Sequence, residues 1–105
     1  MRFLDICRNP HSLPSGSTPY LLIVQGDYVS VKSTRVVVPL MMLDAVSPIV
    51  GVGLMPLFNI ENHDVAMVTP EIAGIPVQDI GPVVASARDR HHEVRRALDI
   101  LTGDL

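Results

Sequence analysis

Apolar and polar positions fall into short strand-like blocks over the first forty residues, and a helical spacing takes over near the end. Phe3 to Arg8 reads as an opening strand, and Asn9 to Pro19, rich in Pro, Ser and Gly, predicts a loop. Tyr20 to Gln25 is an apolar run of strand length, and Gly26-Asp27 marks a turn. Tyr28 to Lys32 alternates, with Val29 and Val31 on one face and Tyr28, Ser30 and Lys32 on the other. Thr34 to Val38 is β-branched apart from Arg35, and Pro39 is expected to end that strand or set it at an edge. Three consecutive strands with tight connections predict an antiparallel meander.

The middle is less regular. Met41 to Val46 fits one helical turn or a loop, and Ser47 to Gly53, with Pro48, Gly51 and Gly53, is expected to be irregular. Leu57 to Ile60, Glu61 to Asp64 and Val65 to Val68 read as strand, polar turn and strand. Thr69 to Gly74 holds Pro70 and predicts a turn or a short helix, and Ile75-Pro76-Val77 a short edge strand. From Pro82 to Leu101 the spacing of Val83, Val84, Ala87, Val94, Ala97, Leu98 and Leu101 predicts a helix, with Pro82 at its first position and Gly103 as a left-handed cap. The other face carries Arg88, Asp89, Arg90, Glu93, Arg95, Arg96 and Asp99.

Composition narrows the class. A chain of 105 residues, 48% hydrophobic and 18% charged, is expected to form one globular domain spanning residues 1–105. With two Phe, two Tyr and no Trp, its core must be mainly aliphatic. A formal charge of −3 argues against a bare nucleic-acid binder, which favours a basic face. Cys7 is the only cysteine, so no intrachain disulfide can form. The opening Met1-Arg2-Phe3-Leu4-Asp5 lacks the sustained apolar run of a signal peptide, and no segment reaches the roughly 20 apolar residues of a membrane span. A cytoplasmic setting follows as the simplest expectation.

Candidate chemistry is thin. His91 and His92 are adjacent on the predicted helix, where side chains diverge by about 100° and rarely share a ligand. His63 with Glu61 and Asp64 has the look of a polar hairpin tip, and His11 sits in the Pro/Ser loop. Cys7 lies in a strand-like run with no adjacent base, as a small buried hydrophobe does. Gly51-Val52-Gly53 lacks the further glycine and lysine of a phosphate loop. Met41, Met42 and Met55 are expected in the core, although exposed methionines would suit an adaptable contact surface. No metal or cofactor is expected. The chain finishes on Thr102-Gly103-Asp104-Leu105, and an ending with a glycine and a final apolar residue bearing the terminal carboxylate suits a tip offered to a partner.

Several segments together resemble the CcdB family of bacterial toxins. They are Met1-Arg2-Phe3, Val24-Gln25-Gly26-Asp27-Tyr28-Val29, Arg35-Val36-Val37-Val38-Pro39-Leu40, Met67-Val68-Thr69, Ile75-Pro76-Val77 and Ala97-Leu98-Asp99, in the family's order and spacing over nearly the whole chain. The resemblance implies a mainly β fold, an SH3-like antiparallel β-barrel with a C-terminal α-helix, acting as a homodimer and not as an enzyme. It implies binding to the DNA gyrase A subunit and trapping of the gyrase–DNA cleavage complex. It further implies neutralisation by a cognate CcdA-like antitoxin and a share in operon autoregulation. DNA is then met only through gyrase or the antitoxin complex, and no membrane is involved. Carried over by alignment, the gyrase-binding residues are Tyr28, Val29, Asp99, Gly103, Asp104 and Leu105. The chain departs from the family's Trp-Gly-Ile ending: Trp is missing, glycine falls one place early, and Asp104 adds a charge beside the carboxylate. Two alternatives remain at this point. One is a MazF-like endoribonuclease toxin on the same barrel, which would need basic and polar groups along an RNA groove. The other is an inactive CcdB-like interaction protein.

Overall fold

The computed structural model describes residues 1–12, 16–46 and 53–103. Within them, β1 is Asp5–Arg8, β2 Tyr20–Ile23, β3 Thr34–Met42, β4 Leu57–Ile60, β5 His63–Met67, β6 Ala73–Pro76 and β7 Val83–Ser86, and α1 is His91–Thr102. The strands pair antiparallel in the order β4-β5-β3-β2-β1-β7, with β6 joining β3 beside this path, and the sheet curls into a half-barrel. The expected mainly β architecture with one C-terminal helix is therefore the observed one.

Strand β2 is buried along its whole length because both faces of the sheet are covered there. Ile6, Leu22 and Val38 lie in register on one face, in a core that also takes Leu4, Tyr20, Leu40, Phe58, Ile60, Val65 and Met67 and is closed by Val94 and Ala97 of α1. Each such aliphatic side chain contributes about 1.5–3 kcal/mol when buried. Cys7, Leu21, Ile23, Val37 and Ile80 form a smaller cluster on the opposite face. Cys7 is thus the buried hydrophobe expected, and burial, with the nearby Asp5 carboxylate second, pushes its thiol up. Met41, Met42 and Met55, by contrast, are only half-buried.

Three elements differ from the pattern-based expectation, each for a visible reason. Tyr28 to Lys32 is not a strand; β2 pairs directly with β3 across an irregular loop, and the antiparallel meander is formed by β1, β2 and β3 instead. The carbonyls of Val31 and Lys32, which a neighbouring strand would need, are taken by the side chains of Gln25 and Arg35. Pro39 does not end its strand, since β3 continues to Met42. Its carbonyl accepts from Val68 N–H at 3.0 Å, so its nitrogen points to the same side. On that side β6 has ended opposite Val37 and β5 begins opposite Leu40, and the missing N–H costs the ladder with β2 nothing.

The third difference is the first half of the predicted helix. Residues Val83–Ser86 form β7 on the open side of β1, Arg88–Arg90 make one 3-10 turn, and the α-helix starts only at His91. Pro82 is therefore not its first residue. A Cβ on Gly81 would lie 2.6 Å from the Arg8 carbonyl oxygen, and that close approach lets Gly81 N–H bond to it at 2.9 Å. Gly81-Pro82 leads a strand into the sheet rather than opening a helix. Gly103, at φ 85° and ψ 17°, is the left-handed cap that was expected.

Strands β4 and β5 meet in a two-residue turn, shorter than the polar stretch suggested. Its residues Glu61 and Asn62 both have positive φ, 52° and 67°.

Candidate functional site

The loop between β2 and β3 is irregular but tied down from beneath. Gln25 spans its base: Nε2 donates to the Val31 carbonyl at 3.1 Å, and Oε1 accepts from Val36 N–H at 3.1 Å. Arg35 Nη1 donates to the carbonyls of Lys32 at 2.8 Å and Thr34 at 2.9 Å. Asp27 Oδ1 accepts from Phe3 N–H at 2.8 Å, which fastens the loop to the N-terminus. The segment held this way carries Tyr28 fully exposed, Val29 50% exposed and Val31 54% exposed. Polar side chains spend their hydrogen bonds holding the backbone, and the apolar ones are left facing outward. That arrangement suits contact with another protein surface.

The second presenting element is α1. Its buried stripe is Val94 and Ala97, so His92, Arg95 and Arg96 face solvent, with Asp99 half-buried one turn further on. Arg90 is engaged: it pairs with Glu93 at 2.6 Å, donates to the Leu57 carbonyl at 2.7 Å and stacks 4.2 Å over the Phe58 ring. The hydrogen bond to Glu93 holds the Arg90 guanidinium above its ordinary range and the Glu93 carboxyl below its own. Arg88 is also engaged, 3.1 Å from the buried Asp5 carboxylate. The rings of His91 and His92 do not part as helical spacing suggested; they meet edge to face with centroids 5.2 Å apart. Phe3 packs edge-on against His91 at 6.2 Å, and so joins the loop's anchor to the start of the helix.

A polar cluster is the strongest alternative to a binding surface. Tyr20 Oη donates to Glu61 Oε1 at 2.6 Å, leaving its oxygen to accept from His63 Nδ1 at 3.1 Å, and Arg8 Nη2 reaches Glu61 Oε2 at 3.0 Å. Burial, with the bond to Glu61 second, pushes Tyr20 up to about 12, and the bonds from Tyr20 and Arg8 hold Glu61 below the usual carboxylate range. The cluster clamps the β4–β5 turn onto β1 and β2, and its donors and acceptors are spent on one another. Among the described residues no three of His, Cys, Asp and Glu are grouped to hold a metal ion. No helix among them is long and apolar enough to cross a membrane.

Of the six residues carried over by resemblance, Tyr28 and Val29 sit together at the loop tip, and Asp99 and Gly103 near the far end of α1. No hydrogen bond or ion pair among the described residues links the two pairs. Asp104 and Leu105, like Gly51 and Val52 of the weak glycine motif, lie outside the described residues. Residue-by-residue reading missed the holding roles of Gln25, Asp27 and Arg35, although all three stand in the segments that carried the resemblance. A family profile described as CcdB protein matches residues 3–103. With that match over nearly the whole of a 105-residue chain, the protein belongs to the CcdB family, the toxins of toxin–antitoxin pairs.

Proposed function

We propose that this toxin acts by binding the DNA gyrase A subunit and holding the enzyme on cleaved DNA, as a cytoplasmic two-fold homodimer. A CcdA-like antitoxin neutralises it and joins it in repressing their operon. It works as a binding protein and not as an enzyme. The observation that carries this reading is the loop in which Gln25, Asp27 and Arg35 hold the backbone while Tyr28 and Val29 stand in solvent. A homodimer would set two such loops, and two helix ends with Gly103, Asp104 and Leu105, about one axis.

The test is gyrase binding and cleavage-complex trapping by the purified protein, beside an RNA-cleavage assay. Trapped gyrase with intact RNA is the expected result; RNA cleavage without gyrase binding would favour the endoribonuclease reading. Light scattering at micromolar concentration is expected to give a dimer. Deleting Asp104-Leu105 is expected to weaken gyrase binding about tenfold, since roughly 1.4 kcal/mol of lost apolar contact suffices for that factor.

A further inference from the structure

This acidic protein gathers unlike charge on one face. Two shallow depressions flank the contact between Phe3 and His91. One, under the loop, is lined by Arg2, Lys32 and Arg35, with Phe3 and Val29 between them and Asp27 as its one acidic residue. The other, along the helix, is lined by Arg95 and Arg96 with both histidines, and Asp99 is its one acidic residue. Five of the chain's eight Lys and Arg residues therefore line this face against two of its eleven Asp and Glu.

The cations on the helix are available. Arg88 and Arg90 are committed to Asp5 and Glu93, whereas Arg95 and Arg96 are exposed and make no ion pair among the described residues. Arg96 is also positioned. Gly53, at φ +85°, lies so close that a Cβ there would stand 3.0 Å from Arg96 Nε, so the glycine leaves the space the guanidinium stem occupies. His92, Arg95, Arg96 and Asp99 recur at helical spacings of three and four, forming one stripe that leads to Gly103.

We infer that this stripe, with the basic rim of the loop, receives a carboxylate-rich surface of the target protein. The inference rests on the gyrase reading and gives the contacted surface its chemistry. A protein suits the face better than a nucleic acid does. Tyr28, Val29 and Val31 need an apolar partner, which a phosphate backbone lacks. Opposed charges of this kind speed association and fix register, and salt weakens them.

The test measures binding of purified gyrase A subunit to wild type, to the double variant Arg95→Gln/Arg96→Gln and to Arg8→Gln, a control with charge removed elsewhere. Salt is raised from about 50 to about 300 mM, across which the screening length falls to a few ångströms. Wild type is expected to lose affinity about tenfold over that range. The double variant should bind about tenfold more weakly at low salt, mostly through slower association, and respond less to salt. The control should behave as wild type, and melting curves should show all three folded. Wild-type binding that ignores salt, with the double variant unaffected, would overturn the inference and leave the gyrase reading standing.

A second arm uses poly-L-glutamate and amide chemical shifts, so that it needs no gyrase. Shifts at residues 92–99 and 32–35 that vanish in the double variant support the inference even if gyrase is not bound. Absence of such shifts overturns it. So does tighter binding of duplex DNA than of poly-L-glutamate at the same residues, which would make the occupant a nucleic acid.

Discussion

The β2–β3 loop and the β4–β5 turn both look like polar connections, and they spend their hydrogen bonds in opposite ways. In the turn, Tyr20, Arg8 and His63 converge on or around the Glu61 side chain, and these side-chain bonds tie the exposed tip back to β1 and β2. In the loop, Gln25, Asp27 and Arg35 grip the main chain, and side chains with no polar partner are turned outward. One connection is a clamp and the other a display. A buried hydroxyl in a clamp supports stability, whereas an exposed tyrosine on a braced loop contributes nothing to the core.

The largest effect should come from stripping the display. Tyr28→Ala/Val29→Ala is expected to weaken gyrase binding by about a hundredfold, because two apolar side chains each contribute roughly 1.5 kcal/mol or more when buried at an interface. The melting temperature should stay within about a degree of wild type, as exposed substitutions of this kind move stability little. Equal losses of binding and stability would mean the loop is part of the fold. Next comes the brace. Gln25→Ala removes both bonds at the loop base and leaves Tyr28 and Val29 in place. Binding is expected to fall about tenfold from lost preorganisation, at a stability cost of about 1–2 kcal/mol for two hydrogen bonds. Titration against gyrase A subunit and thermal melting separate the two effects.

The contrast explains what the sequence made legible. The paired cores of β1, β2, β4 and β5 could be read because Ile6, Leu22, Phe58 and Val65 sit in apolar runs bounded by turn residues. The extent of β3 could not, since it depends on which neighbour faces Pro39, and that is a property of strand order. Val83 and Val84 satisfy a helical spacing as easily as a strand, and the pairing with β1, entered through the close approach of Gly81 to Arg8, decides. At the site, Tyr28 and Val29 came from family resemblance, which names positions without reasons. The reasons are side-chain bonds such as Gln25 to Val36, Asp27 to Phe3 and Arg35 to Lys32, and nothing in local periodicity encodes them.

Breaking the clamp should show the reverse signature. Tyr20→Phe leaves the ring packed but removes the hydroxyl that serves Glu61 and His63, with an expected loss of about 1–3 kcal/mol in chemical denaturation. Gyrase binding should be unchanged. The pH dependence has a definite sign. Tyr20 is held above its ordinary value of 10, at about 12, so its contribution is fully present below pH 10 and is lost as pH rises from 10 toward 12. Tyr20→Phe should lack that alkaline limb. Glu61 is held below its ordinary 4.5, so its contribution is present above that pH and fades as pH falls further. An acid limb that is unchanged in Glu61→Gln would show that other carboxylates set it.

The smallest effect should be an improvement to the clamp. Asn62 occupies the second turn position at φ 67°, a left-handed conformation that asparagine tolerates and glycine adopts freely. Its main chain, not its side chain, makes the turn. Two-residue turns of this hand favour glycine at that position. Glycine also widens the unfolded ensemble, and that cost opposes the gain from relieved strain. With an asparagine already suited to the conformation, the two nearly cancel. Asn62→Gly is therefore expected to change stability by no more than about 0.5 kcal/mol, on the stabilising side, with gyrase binding untouched. A loss above about 1 kcal/mol in denaturant titration would show that the Asn62 side chain holds the turn, and that the clamp is wider than Tyr20, Glu61, His63 and Arg8.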